Sequence, residues 1–94
     1  MYHRILEIML PSLEKALIQY DAALKGDDAT PLKDIAHYVR GMSSNVGADI
    51  LTKAAADLEH ALIDGHASDQ QMTAFRLSIE ETLQVLRKIQ LDKS

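Results

Sequence analysis

Apolar side chains recur along this chain at intervals of three and four residues, the spacing that lines up one side of an α-helix. From about Tyr2 to Lys25 the stripe is Ile5, Leu6, Met9, Leu13, Ala16, Leu17, Tyr20 and Leu24. Pro11 sits inside that run. It lacks an N–H and crowds the preceding turn, so the pattern predicts a short helix, a kink and a longer helix. Gly26 ends the second of these and Asp27-Asp28 form the turn. Thr30-Pro31 predicts the next start, a hydroxyl cap followed by proline at the first helical position, for a helix reaching about Val46. A further helix from Ala48 to about Asp64 carries the cleanest stripe, Ile50/Leu51, Ala54/Ala55, Leu58 and Ala61/Leu62, before Gly65 stops it. Ser68-Asp69-Gln70-Gln71 has the spacing of a capping box. The helix it opens turns Met72, Phe75, Ile79, Leu83, Leu86 and Ile89 inward.

Connections of two to five residues make neighbouring helices antiparallel. The predicted fold is therefore all-α: an up-down antiparallel four-helix bundle with a short amino-terminal helix capping one end. Residues 1–94 are read as a single domain, without internal repeat, low-complexity tract or linker.

Composition narrows the chemistry. Apolar types make up 47% of the 94 residues and charged types 26%, as in an ordinary globule. Aromatic residues are only 4%, with no Trp, which suits a helical core of Ala, Leu and Ile. Fourteen acidic against ten basic residues give a net charge of −4 and argue against a nucleic-acid binder that grips phosphates. With no cysteine there is no disulfide, thiolate nucleophile or zinc–cysteine site. No apolar run approaches the roughly 20 residues of a membrane span, and no signal-peptide profile opens the chain. The expectation is a cytoplasmic protein, and a monomer, because no heptad seam extends beyond what the bundle uses.

The helix after Thr30 has an unusual outer face. At about 100° per residue, Leu32, Ile35, Ala36, Val39 and Val46 point to the core, which turns His37 to solvent. Gly41, Ser44 and Ala48 share the outer side, flanked by Lys33 and Arg40. A glycine inside a helix costs about 1 kcal/mol relative to alanine, and no packing demand explains one on an exposed face. One turn beyond His37, Gly41 leaves the imidazole open to the close approach of another protein's backbone. A neutral imidazole is a good nucleophile near neutral pH. The segment Gly41-Met42-Ser43-Ser44-Asn45-Val46-Gly47 lacks the lysine and strand context of a phosphate-binding loop, so the chain does not make its own phosphoryl donor complex. His37 can still receive a phosphoryl group, with Arg40, Lys33 and Ser44 offsetting its charge and donating hydrogen bonds.

These residues resemble a known family. Asp34-Ile35-Ala36-His37-Tyr38-Val39-Arg40-Gly41, then Ser43-Ser44-Asn45-Val46-Gly47-Ala48, then Leu51 and Leu58-Glu59, are similar to the histidine-containing phosphotransfer (HPt) domain. The resemblance extends to the Leu-Pro break, the Gly-Asp turn and the closing amphipathic helix. It implies a phosphorelay carrier, without a kinase or nucleotide site, that takes a phosphoryl group from a receiver-domain aspartate onto His37 and passes it to another receiver. Partners would be response-regulator receivers and a sensor or hybrid histidine kinase. No cofactor is implied in this chain, Mg²⁺ belonging to the receiver. Arg40 falls where the family most often has lysine, Gly41 at the small residue permitting approach, and Ser44 near the phosphate; Lys33 adds electrostatic support.

Two other readings compete. A di-iron bundle needs paired E-x-x-H segments, and only Asp34-x-x-His37 comes near that spacing, with its histidine outward. A docking module that binds a receiver or kinase without carrying phosphate would use exposed apolar residues among Tyr2, Ile8, Met9, Ile18, Tyr38 and Met42. The remaining histidines read as surface residues without a role: His3 at the terminus, His60 beside Glu59 on a charged face, and His66 in a turn.

Overall fold

The structure, a computed structural model, describes residues 2–26, 28, 30–45 and 48–93, with side chains described from 7 to 91. Among them the regular structure is entirely helical: α1 (Tyr2–Leu24), α2 (Thr30–Asn45), α3 (Asp49–Asp64) and α4 (Asp69–Lys93). α1 packs on α2 and α4, and α3 packs on the same two helices from the other side. Polar contacts between neighbours run with opposite numbering. Glu14 of α1 meets Arg87 of α4 while Asp21 meets Arg76, and on α2 and α3 His37 meets Glu59 while Ser43 meets Thr52.

The core is what the periodicity predicts for most of its length. Leu13, Ala36, Val39, Leu51, Ala55, Leu58, Phe75 and Ile79 are fully enclosed. Tyr20 stacks edge-on against Phe75, ring centres 5.2 Å apart, and its hydroxyl donates to the Met72 carbonyl at 3.1 Å. Four stripe or surface assignments change. Leu24 is exposed at the end of α1, and Ile50 is 78% exposed because it points away from the core in the turn where its neighbour Leu51 is enclosed. Met9 is only 3% exposed and belongs to the core, and Met42 packs partly against it. Ile5, Leu6 and Val46 lie outside the described side chains.

Pro11 does not divide the first segment. α1 runs unbroken through it, so the separate amino-terminal cap helix is absent and four helices replace the expected five pieces. Pro11 is exposed, as is Glu7, the residue one turn earlier whose carbonyl a proline cannot bond, so the lost bond falls on the solvent side of the helix. α1 and α4, with 23 and 25 residues against 16 in each of α2 and α3, form the long pair of the bundle.

The helix ends follow local chemistry. Ser68 and Gln71 make the predicted reciprocal box, each side chain accepting the other's backbone N–H at 3.1 and 3.0 Å. Gly65 has φ 76°, its N–H bonding to Leu62 and that of His66 to Ala61. That pattern is the Schellman motif, and the left-handed residue it needs favours glycine. At the start of α2 it is the Asp28 carboxylate that accepts the Thr30 N–H, at 2.9 Å, rather than the Thr30 hydroxyl serving as cap. An aspartate side chain bonds readily to the amide two residues on in the chain.

Candidate functional site

Midway along α2 the inward positions Ile35, Ala36 and Val39 are buried, and the intervening geometry turns His37 outward. Its side chain is 73% exposed. A Cβ built on Gly41, one turn further, meets no heavy atom within 4 Å. No side chain of the chain itself therefore requires that glycine. The space beside the imidazole is open.

The imidazole is nevertheless held. His37 Nδ1 lies 2.8 Å from Oε2 of Glu59, whose other oxygen accepts from Arg40 Nη1 at 2.8 Å. Glu59 comes from α3 and its side chain is only 12% exposed, while Arg40 is 43% exposed. This corrects the placement of Glu59 on a charged face beside His60. His60 is exposed, but Glu59, one residue earlier, rotates under α2. The Arg40 guanidinium is the main reason its carboxyl is held below the usual range; burial works in the opposite direction and the His37 bond adds to the lowering. Glu59 is thus ionised, and an ionised carboxylate only accepts. In the neutral ring the proton that meets it therefore sits on Nδ1, which leaves Nε2 with its lone pair free.

Glu59 is the residue that sequence reasoning missed as functional. Its signal was present: Leu58 and Ala61 lie on the buried stripe, and Glu59 adjoins it closely enough to need partners. What no pattern shows is which residues on another helix those partners are.

The other expected site residues are less tightly joined. Lys33, one turn before His37, is half-buried. Ser44 is exposed on the same side but seven residues on, about 10.5 Å along the axis. Ala48 is not on the outer face; it is half-buried against the core as the residue preceding α3. Tyr38 is exposed and borders a groove of about 310 Å³ between α1 and α2, lined also by Ser12, Lys15, Ala16 and Gln19. Ile8 and Ile18 are exposed, the side chains of Tyr2 and His3 lie outside those described, and His66 is exposed. Among the described residues no three His, Asp or Glu side chains converge as metal ligands, and no helix is long and apolar enough to cross a membrane.

An all-helical bundle with one oriented surface imidazole suits a carrier of groups rather than an enclosed catalyst. Comparison with known families agrees with that class. The family model of the Hpt domain matches residues 4–89, nearly the whole chain, and the protein belongs to that family. Hpt domains serve histidine phosphotransfer in phosphorelays, as phosphoryl carriers that interact with receiver domains and histidine kinases. No curated protein and no solved structure matches the chain.

Proposed function

We propose that this protein is a cytoplasmic, monomeric phosphorelay intermediate built as an up-down antiparallel bundle, and that His37 is its phosphoryl acceptor. The observation that carries the proposal is the division of labour on the imidazole: Nδ1 is engaged by buried Glu59, while the ring is 73% exposed and the Cβ direction of Gly41, one turn on, is empty. In the forward step the Nε2 lone pair attacks the phosphorus of a receiver's aspartyl phosphate. A P–N bond forms, the P–O bond to the aspartyl carboxyl breaks, and the carboxylate leaves with the electron pair. The Nδ1 proton stays in place, and Glu59 balances the positive charge that the ring acquires. In the second step the aspartate of another receiver attacks the same phosphorus and the P–N bond breaks, returning neutral His37.

Arg40 binds Glu59 through Nη1 and faces solvent enough to turn its second nitrogen toward the phosphoryl oxygens. Lys33 contributes charge from one turn away. Ser44 lies too far along the helix for a direct bond to a phosphate on His37, and fits better as a contact of the incoming receiver. No cofactor is assigned to this chain, the Mg²⁺ of the relay being the receiver's. The groove beside Tyr38 lies close enough to His37 for a docked receiver to cover both. Such a partner must leave after each transfer, which suits an interface under about 1,200 Å².

The test is incubation with a phosphorylated receiver followed by acid and alkali treatment. The expected product is an acid-labile, alkali-stable phosphate that His37→Gln abolishes. Unchanged labelling of that variant rejects the site, and binding without labelling makes the chain a docking module instead.

A further inference from the structure

Two hydroxyls meet between α2 and α3, one from fully enclosed Ser43 and one from half-buried Thr52. Ser43 is fully enclosed, and its Oγ lies 2.8 Å from Oγ1 of Thr52. Thr52 Oγ1 donates to the Ala48 carbonyl at 2.9 Å and Ser43 Oγ to the Arg40 carbonyl at 3.2 Å; each hydroxyl has one proton, so the bond between the pair forms when either one turns from its carbonyl to the other. The Ala48 N–H closes the corner on the Ser43 carbonyl at 2.9 Å. No buried side-chain polar atom among the described residues lacks a partner. An apolar pair would fill this place without the cost of burying hydroxyls, so the pair calls for another explanation.

Its position supplies one. Ser43 lies six residues after His37 on α2, and Thr52 seven residues before Glu59 on α3. At 1.5 Å per residue these are offsets of about 9 and 10.5 Å, on helices whose contacts run in opposite directions. The hydroxyl pair and the His37–Glu59 contact are therefore two ties across one helix interface, nearly in register. Ala36 and Ala55, fully enclosed on these two helices, are too short to interlock as larger side chains do. A slip of one residue would carry Glu59 about 1.5 Å along the axis and open a contact that is now 2.8 Å. We infer that Ser43 and Thr52 are positioning residues: their hydroxyl pair sets the α2–α3 register that holds Glu59 on His37 Nδ1. The inference rests on the reading of His37 as acceptor for its consequence, but not for its geometry.

The experiment is nitrogen NMR of the His37 ring in the unphosphorylated chain, in mildly alkaline solution, alongside transfer kinetics. Glu59→Gln supplies the spectrum of a ring without the carboxylate. In Ser43→Ala/Thr52→Val both hydroxyls go together, which leaves no unpaired group and keeps the fold. The ring nitrogen shifts should then move toward those of Glu59→Gln, and transfer should slow toward the roughly tenfold loss expected of that variant. Thr52→Ser keeps the hydroxyl and should retain the parent shifts and rate. If the double variant does not fold, Thr52→Val alone is read in the same way, because Ser43 keeps the Arg40 carbonyl. Parent-like ring shifts in a folded variant without the pair overturn the inference. A parent chain that accepts no phosphoryl group overturns the relay reading instead, while the NMR result still decides the role of the pair.

Discussion

Glu59 on α3 lies under His37 of α2 and accepts a hydrogen bond from its Nδ1 at 2.8 Å, 22 residues away in the chain. The same carboxylate holds Arg40, so one buried charge orients the imidazole and restrains the nearest cation. Replacing Glu59 by Gln keeps an acceptor of the same shape but removes the charge. Phosphoryl transfer onto His37 is expected to slow by roughly tenfold, or about 1.4 kcal/mol at the transition state. Rapid-quench kinetics with a phosphorylated receiver check this; an unchanged rate would confine Glu59 to a structural role.

Acid should weaken the fold through identifiable carboxylates. The carboxyls of Glu59 and Asp21 are held below their ordinary values of 4.5 and 3.8, chiefly by hydrogen bonds from Arg40 and Arg76. A depressed folded value means that the unfolded chain takes up the proton first. The stabilisation is therefore complete above the unfolded values and is lost as pH falls below about 4.5 and through the folded values. Urea midpoints measured from neutral pH downward should show that decline, and Glu59→Gln should show a shallower one.

Alkali acts through Tyr20. Burial, with the Asp21 charge adding to it and Arg76 opposing, raises its phenol from 10.0 to about 12. Here the sign reverses: a raised folded value means that the unfolded chain ionises first. Stability present below pH 10.0 is lost as pH rises toward about 12. Tyrosinate absorbance should rise together with loss of helical circular dichroism in that window. Tyr20→Phe should flatten the dependence while losing the bond to the Met72 carbonyl, at a cost of about 1 kcal/mol at neutral pH.

Gly41 separates stability from access. Its Cβ direction is empty and its backbone is helical. Gly41→Ala should therefore stabilise the chain by up to about 1 kcal/mol. Gly41→Trp should leave the helix content intact yet reduce transfer at least tenfold, by walling off Nε2. Thermal melts and transfer rates on the same preparations check both. A Trp variant that transfers normally would show that the approach path lies elsewhere.

Much of this was legible in the chain because the relevant physics is local. The buried faces of α2 and α4, the Ser68–Gln71 box, the Gly65 stop and the outward turn of His37 follow from helical spacing and end chemistry, set within a few residues. Pro11 misled because local propensity predicted a break, whereas packing on α2 and α4 carries α1 through an exposed proline. Met9 and Ile50 each fit an apolar pattern, and only the positions of the neighbouring helices put one inside and the other in water.

The sequence by itself determined that one imidazole would stand outward on a helix beside a residue with no side chain. Tertiary structure alone decided that a carboxylate would rise from the neighbouring helix to take one ring nitrogen, and that Arg40 would share it. Periodicity is a property of one helix. The partner of a buried charge depends on how two helices are set against each other, and that register is written in contacts between residues far apart in the chain.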